Sequence, residues 1–280
     1  MGVDRRTALG ILGAAVAGGV VGVATVPDRR PPRPPAAFDP RIRWIGFTGT
    51  ESGFSTSSTH QEAFVNEKDR YHYWTVSATA SGQDQPPASG NHWTELTGRQ
   101  RIRGVPTFWH PADRSTYEAR NVRLRWEYAA GLWAVLTGPE MLSPTVDTAV
   151  QRAHAVRLGT AQPIRLPFRP PALPDGFELT SAYLRQDRRP RHLRFYASAE
   201  FAHPEGLVHV SVGHPDGVSS PRTVEGYPSR MIGNDLQDLV IAQAGDVIVT
   251  ALLDVGAKNL VPGGALALFR TLARQATALV

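Results

Sequence analysis

The chain has 280 residues, 41% of them apolar and 20% charged, a composition that belongs to a globular protein with room for more than one core and not to a disordered chain. Its formal charge is +5, but residues 1–41 hold six arginines against three aspartates, so the rest of the chain carries only +2, which excludes the large clustered basic excess of a nucleic-acid-binding domain. Cysteine is absent, and with it go disulfides, thiolate metal centres, a cysteine nucleophile and a lipid-modified cysteine anchor.

The first 26 residues open with Asp4-Arg5-Arg6 and continue through 20 uncharged residues from Thr7 to Val26. That pattern predicts an export signal or a membrane anchor. Five glycines and five alanines keep the segment only mildly apolar. Arg29, Arg30 and Arg33 follow it, so the positive-inside rule leaves the orientation of a retained helix open. Six prolines between residues 27 and 40 then predict an extended tether over 27–41, because proline fixes φ and removes a donor.

The folded part reads as α+β: two similar modules, over 42–160 and 175–280, each an antiparallel β-sheet closed by a C-terminal amphipathic helix, with a Pro-rich linker at 161–174. In the first, Tyr71 to Ala80 alternates, with Trp74, Val76 and Ala78 on one face, as a half-buried strand does. Asn121 to Tyr128 repeats the pattern with Val122, Leu124, Trp126 and Tyr128 inward. Leu132 to Leu136 is apolar throughout, as in a strand covered on both faces. A helix is expected near 144–158, with Ser143 as N-cap, Pro144 at its first position and a stripe of Val146, Ala149, Val150 and Ala153.

The second module opens at Leu173-Pro174-Asp175-Gly176-Phe177 and continues with a strand to about Gln186. Further strands are expected over 193–201, 207–213, 236–243 and 247–253, with a final helix near 262–279 whose stripe is Ala265, Leu268, Leu272, Ala276 and Leu279. A Gly-X-Pro turn, two strands joined at a glycine and a helix occur in both halves, from Gly104-Val105-Pro106 and from Gly226-Tyr227-Pro228. The agreement suggests a tandem repeat.

Patterns with catalytic chemistry are few. Glu51 to Glu62 gathers Ser52, Ser55, Ser57, Ser58 and His60 with carboxylates at both ends, the residue types of a nucleophile, a base and an orienting group. A polar surface loop accounts for the same residues. His110, His203 and His214 each precede proline, which places them in turns that do not fix metal ligands. No cofactor motif or metal-ligand spacing is present.

Two sets of residues are candidates for binding. Arg188, Arg189 and Arg191 lie at a predicted hairpin tip within Arg185 to Arg194, where an anionic group or an acidic protein could dock; a solvated tip explains them equally. All six tryptophans fall between Trp44 and Trp133. Trp74 and Trp126 sit on inward faces, whereas Trp93 and Trp109 lie near turns and could line a site for an apolar or sugar-like ligand.

Two resemblances follow from these residues. Arg5-Arg6-Thr7-Ala8-Leu9 resembles a twin-arginine export signal, with Asp4 and Ala8 departing from the usual pattern. The succession of Leu173-Pro174-Asp175-Gly176-Phe177, a strand run, Gly226-Tyr227-Pro228 and a final helix resembles extracytoplasmic α+β domains of bacterial membrane proteins, including parts of anti-sigma factors. It is similar, more distantly, to lipoprotein-carrier-like sensors. These resemblances imply an exported or membrane-tethered protein that binds or senses without catalysis, in contact with the membrane through its N-terminal segment if that is retained. A secreted hydrolase using residues 51–62 and a carrier of an apolar ligand are the alternatives.

Overall fold

The computed structural model describes residues 37–49, 51–66, 73–80, 93–111, 121–129, 132–139, 145–189, 192–214, 222–224, 227–231 and 237–276. Arg5, Arg6, Arg191, Gly131, the glycine expected to join two strands of the first half, and the expected Ser143-Pro144 cap lie outside them.

Strands run through both halves of the chain. The first half has β1 (Ile42–Phe47), β2 (Gly53–Ser57), β3 (His60–Asn66), β4 (Tyr73–Thr79), β5 (Thr94–Glu95), β6 (Thr107–His110), β7 (Asn121–Ala129) and β8 (Leu132–Pro139), then α1 (Val146–His154). It is followed by β9 (Val156–Pro163), β10 (Glu178–Arg189), β11 (His192–His203), β12 (Gly206–Gly213), β13 (Arg222–Val224), β14 (Tyr227–Met231), β15 (Gln237–Ala244) and β16 (Val247–Asp254). Two helices end the described chain, α2 (Val255–Leu260) and α3 (Gly264–Ala276).

Among the described residues, β1 and β9 form an antiparallel ribbon, and the other strands form a single 14-stranded sheet in the order β13-β14-β15-β16-β12-β11-β10-β2-β3-β4-β8-β7-β6-β5. The expected pair of α+β modules, each with its own sheet closed by a helix, is therefore corrected. The chain is mostly β, with a few short helices, and one sheet runs through both halves because β2 pairs antiparallel with β10, from Ser181 opposite Ser57 to Arg185 opposite Gly53. Alternation fixes which face of a strand is buried. It does not fix which edge finds which partner, and here the edges of β2 and β10 satisfy each other's backbone groups.

Gly53 permits this junction. A Cβ there would run into the Leu184 carbonyl oxygen of β10, so only glycine lets the two backbones pair at that point. Just beyond it, the Gln186 N–H donates to the Ser52 carbonyl at 2.6 Å. Outward from the junction the strand orders match, β2-β3-β4-β8-β7-β6-β5 on one side and β10-β11-β12-β16-β15-β14-β13 on the other.

Two cores lie along the sheet. The first contains Phe47, Trp74, Val76, Leu124, Trp126, Tyr128 and Leu136 with Ala149, Val150 and Ala153 of α1. The second contains Val208, Val210, Val212, Val249, Ala251 and Leu253 with Ala265, Leu268, Phe269 and Leu272 of α3. The inward residues expected on the strands 73–79 and 121–129, Trp74, Val76 and Ala78 and Val122, Leu124, Trp126 and Tyr128, are buried. Helix α1 is shorter than expected and begins after Thr145, whose hydroxyl accepts from the Thr148 N–H at 3.2 Å; the residues from Val156 onward pair with β1 instead of extending the helix.

The β1–β9 ribbon is tied to the large sheet by a buried amide. Gln61 of β3, 1% exposed, accepts from the Trp44 N–H at 2.6 Å and donates to the Ile42 carbonyl at 2.7 Å. Those are backbone groups of β1 that ladder pairing with β9 leaves unmet. Thr56 adds a bond to the Pro40 carbonyl at 2.7 Å. At the other end of the chain, the Asp254 carboxylate caps α2 through the Ala257 N–H at 2.9 Å, and Asp238 accepts from the Ala265 N–H of α3 at 2.8 Å.

Candidate functional site

The junction of the two halves also makes a cavity. A cleft of about 540 Å³ opens where the β1–β9 ribbon meets β2 and β10, within the size range of small-molecule sites. Its apolar wall is Phe47 of β1, Phe54 of β2 and Leu184 of β10, with the two rings at 2% and 3% exposure. Strand alternation explains the wall: Phe54 and Leu184 are cross-strand partners and share one face of the sheet.

The charged groups come from the ribbon and the chain just after it. Arg43 on β1, Arg157 on β9 and Arg165 beyond β9 line the cleft, with Glu51 as their counter-charge. Arg43 forms an ion pair with Glu51 through Nη2 and Oε1, and its guanidinium also lies 4.8 Å from the centre of the Phe54 ring. The other Glu51 oxygen accepts from the Phe47 N–H at 2.9 Å. Arg157 donates to the Phe47 carbonyl at 2.9 Å. Arg165 is exposed at the rim.

Three guanidinium groups against one carboxylate leave an excess of positive charge over an apolar wall. Burial pushes the Glu51 carboxyl up from its ordinary value, against the pull of Arg43, the Phe47 N–H and Arg157. The Arg43–Glu51 pair is therefore held against a desolvation cost, the usual condition of a buried ion pair. In addition, Arg43 Nε is buried without a hydrogen-bond partner.

The opposite face of the same junction carries an aromatic row. Tyr73 of β4 and Tyr183 of β10 each meet Phe64 of β3, at 5.9 and 5.8 Å between ring centres, and Tyr196 of β11 meets Tyr183 at 5.8 Å. Arg185 stacks over Tyr73 at 4.5 Å. Burial raises the Tyr183 hydroxyl above its ordinary value, with Arg185 opposing. Tyr196, 44% exposed, is the accessible end of the row.

The residues singled out from sequence fall elsewhere. Trp109 lies on β6, partly buried against the first core. Trp93 stands edge-on to His110, with ring centres 5.2 Å apart. Neither lines the cleft. Arg188 and Arg189 end β10 opposite Leu193 and His192.

The stretch 51–62, expected as a polar loop or the nucleophile stretch of a hydrolase, instead contributes β2 and the first part of β3, which pair as a hairpin. There the Ser57 hydroxyl bonds the His60 backbone, accepting from its N–H at 3.1 Å and donating to its carbonyl at 3.0 Å. The His60 ring faces Glu62 at 3.1 Å. The hydroxyl is thus spent on turn geometry, as in other Ser-mediated turns, and the neighbouring Glu51 belongs to the cleft.

Sequence reasoning missed Arg43, Arg157 and Arg165. They are spread over more than a hundred positions, and in a chain with 28 arginines no local pattern marks them. Arg157 was further hidden by the expected extension of α1 to residue 158. Glu51 was visible as a member of the polar run, with a different role assigned.

Comparison with known proteins adds little. No protein-family model matches the chain, and no curated protein matches it. Among the solved structures that match is a crystal structure of MucB in complex with MucA(peri), 14% identical, covering 80% of this chain and 90% of that chain, with a TM-score of 0.24. Structural agreement at that level carries no argument about fold or function. Among the described residues no helix is long and apolar enough to cross a membrane.

Proposed function

We propose that this chain is a non-enzymatic binding or sensing protein that acts outside the cytoplasm, with residues 1–26 as its export signal or anchor and 27–41 as a spacer. The observation that carries the binding half is the cleft at the junction: a cavity of ligand size with an apolar wall and surplus guanidinium groups. Recognition through positioned charge needs no proton shuttle. The location rests on the sequence of the first 26 residues, with Arg5 and Arg6 placed as in an export signal.

Native mass spectrometry on protein recovered from intact cells, with protease added outside the cytoplasmic membrane beforehand, tests both halves together. The expected result is a body accessible to protease and, in protected samples, a small molecule that leaves the protein chemically unchanged. A body reached by protease only after the cytoplasmic membrane is breached overturns the location. Steady conversion of the bound molecule overturns the non-enzymatic reading.

A further inference from the structure

We propose that the cleft between the β1–β9 ribbon and the β2–β10 junction binds a small organic anion, a carboxylate or phosphate head carried on a short apolar body; this rests on the reading of the cleft as a binding site. The head is assigned to Arg157 and Arg165. Arg43 is already engaged by Glu51, whereas Arg157 spends one nitrogen on the Phe47 carbonyl and Arg165 stands exposed at the rim. Guanidinium forks match the planar oxygens of carboxylate and phosphate. A concave site with low-dielectric walls concentrates the field of these charges.

The body is assigned to the wall of Phe47, Phe54 and Leu184. A cationic ligand is disfavoured at the same place, because Glu51, the one carboxylate of the lining, is already paired with Arg43, and Arg157 and Arg165 leave the cleft positive. The geometry thus selects both sign and shape: negative at the rim, apolar toward the floor.

Calorimetric titration of the full chain with four probes tests this: phenyl phosphate, 3-phenylpropanoate, inorganic phosphate and benzylamine. The two aromatic anions should bind, inorganic phosphate should bind more weakly, and benzylamine should not bind measurably. Arg165→Glu should weaken the aromatic anions by about tenfold or more, a change of about 1.4 kcal/mol. Arg169→Glu, the same charge change at an exposed residue outside the cleft, should leave their affinity within about twofold.

Equal binding of benzylamine, or no binding of either aromatic anion, overturns the proposal. An equal loss in both variants overturns the assignment to the rim, and inorganic phosphate matching phenyl phosphate overturns the role of the apolar wall. If the aromatic anions fail while native mass spectrometry still finds another bound molecule, the ligand class is wrong and the binding function stands.

Discussion

The two halves of the sheet share a strand order and differ in what fills and covers them. The half from β2 to β8 is built around indoles: Trp74 and Trp126 are 1% and 2% exposed, and the Trp74 ring lies on Gly138 so closely that a Cβ there would collide with it. The half from β10 to β16 contains no tryptophan, and its core is mostly valine, alanine and leucine, with Phe201 and Phe269 among them. The cover differs accordingly. A 13-residue helix lays Ala265, Leu268, Leu272 and Ala276 along small side chains of the second half, whereas the first half has a nine-residue helix and the β1–β9 ribbon. Where the covering element is short, wide rings from the sheet supply the volume that close packing requires.

The sharpest way to break this comparison is to truncate one anchor on each side. Trp74→Ala should cost about 3–5 kcal/mol and Leu272→Ala about 2–5 kcal/mol in urea unfolding. A Trp74→Ala cost below that of an exposed substitution, about 0.5 kcal/mol, would show that the first half is not organised around its indoles.

The next test acts on the junction. Gly53→Ala should cost about 1–3 kcal/mol through overpacking against β10, and it should do more than lower the midpoint. All six tryptophans lie in the first half, so their fluorescence reports that half alone while far-ultraviolet circular dichroism reports both. In the wild type the two signals should follow one transition, as they do for a cooperative unit. In Gly53→Ala they should separate, and coincidence in the variant would mean that the halves are coupled by something other than the β2–β10 pairing.

Gln61→Leu probes the cover of the first half. It leaves the Trp44 N–H and the Ile42 carbonyl without their partner and should cost about 1–3 kcal/mol, read as an equal shift of the urea midpoint by fluorescence and by circular dichroism.

The smallest expected effect belongs to His209, opposite Glu200 on β11. Burial lowers its pKa, with Glu200 opposing. A histidine held neutral in the folded state binds its proton more readily when unfolded, so stability should fall as pH drops through the unfolded value of about 6.5. His209→Gln should flatten the acid limb of the stability profile measured by urea midpoint between neutral and mildly acidic pH. An unchanged limb would assign the acid sensitivity elsewhere.

How much of this was legible in advance depends on the range of the interaction. Trp74, Val76 and Ala78, or Val122, Leu124, Trp126 and Tyr128, declare an inward face because a side chain in a strand has a choice of only two directions. The stripe of α3 declares itself for the same reason at the helical period. Local chemistry was readable too: Pro and Gly mark the ends of elements, and Ala149, Val150 and Ala153 face the core although the helix starts later than its expected cap.

Lateral partnership was not legible. A strand's backbone groups are the same at every residue, so nothing in Gly53 to Ser57 names Glu178 to Arg189 as its neighbour, and the chain joins into one sheet where two were expected. The candidate site lies beyond the sequence for the same reason. Arg43, Glu51, Arg157 and Arg165 have no common period or spacing, and their shared field arises only when the ribbon crosses the junction. Sequence by itself determined which face is apolar on strands such as Tyr73–Thr79 and Asn121–Ala129 and on the final helix. Tertiary structure decided that the halves pair through β2 and β10, and that a charged, apolar-walled cleft is left where they meet, because edge pairing and the convergence of distant side chains depend on three-dimensional neighbours that no local pattern encodes.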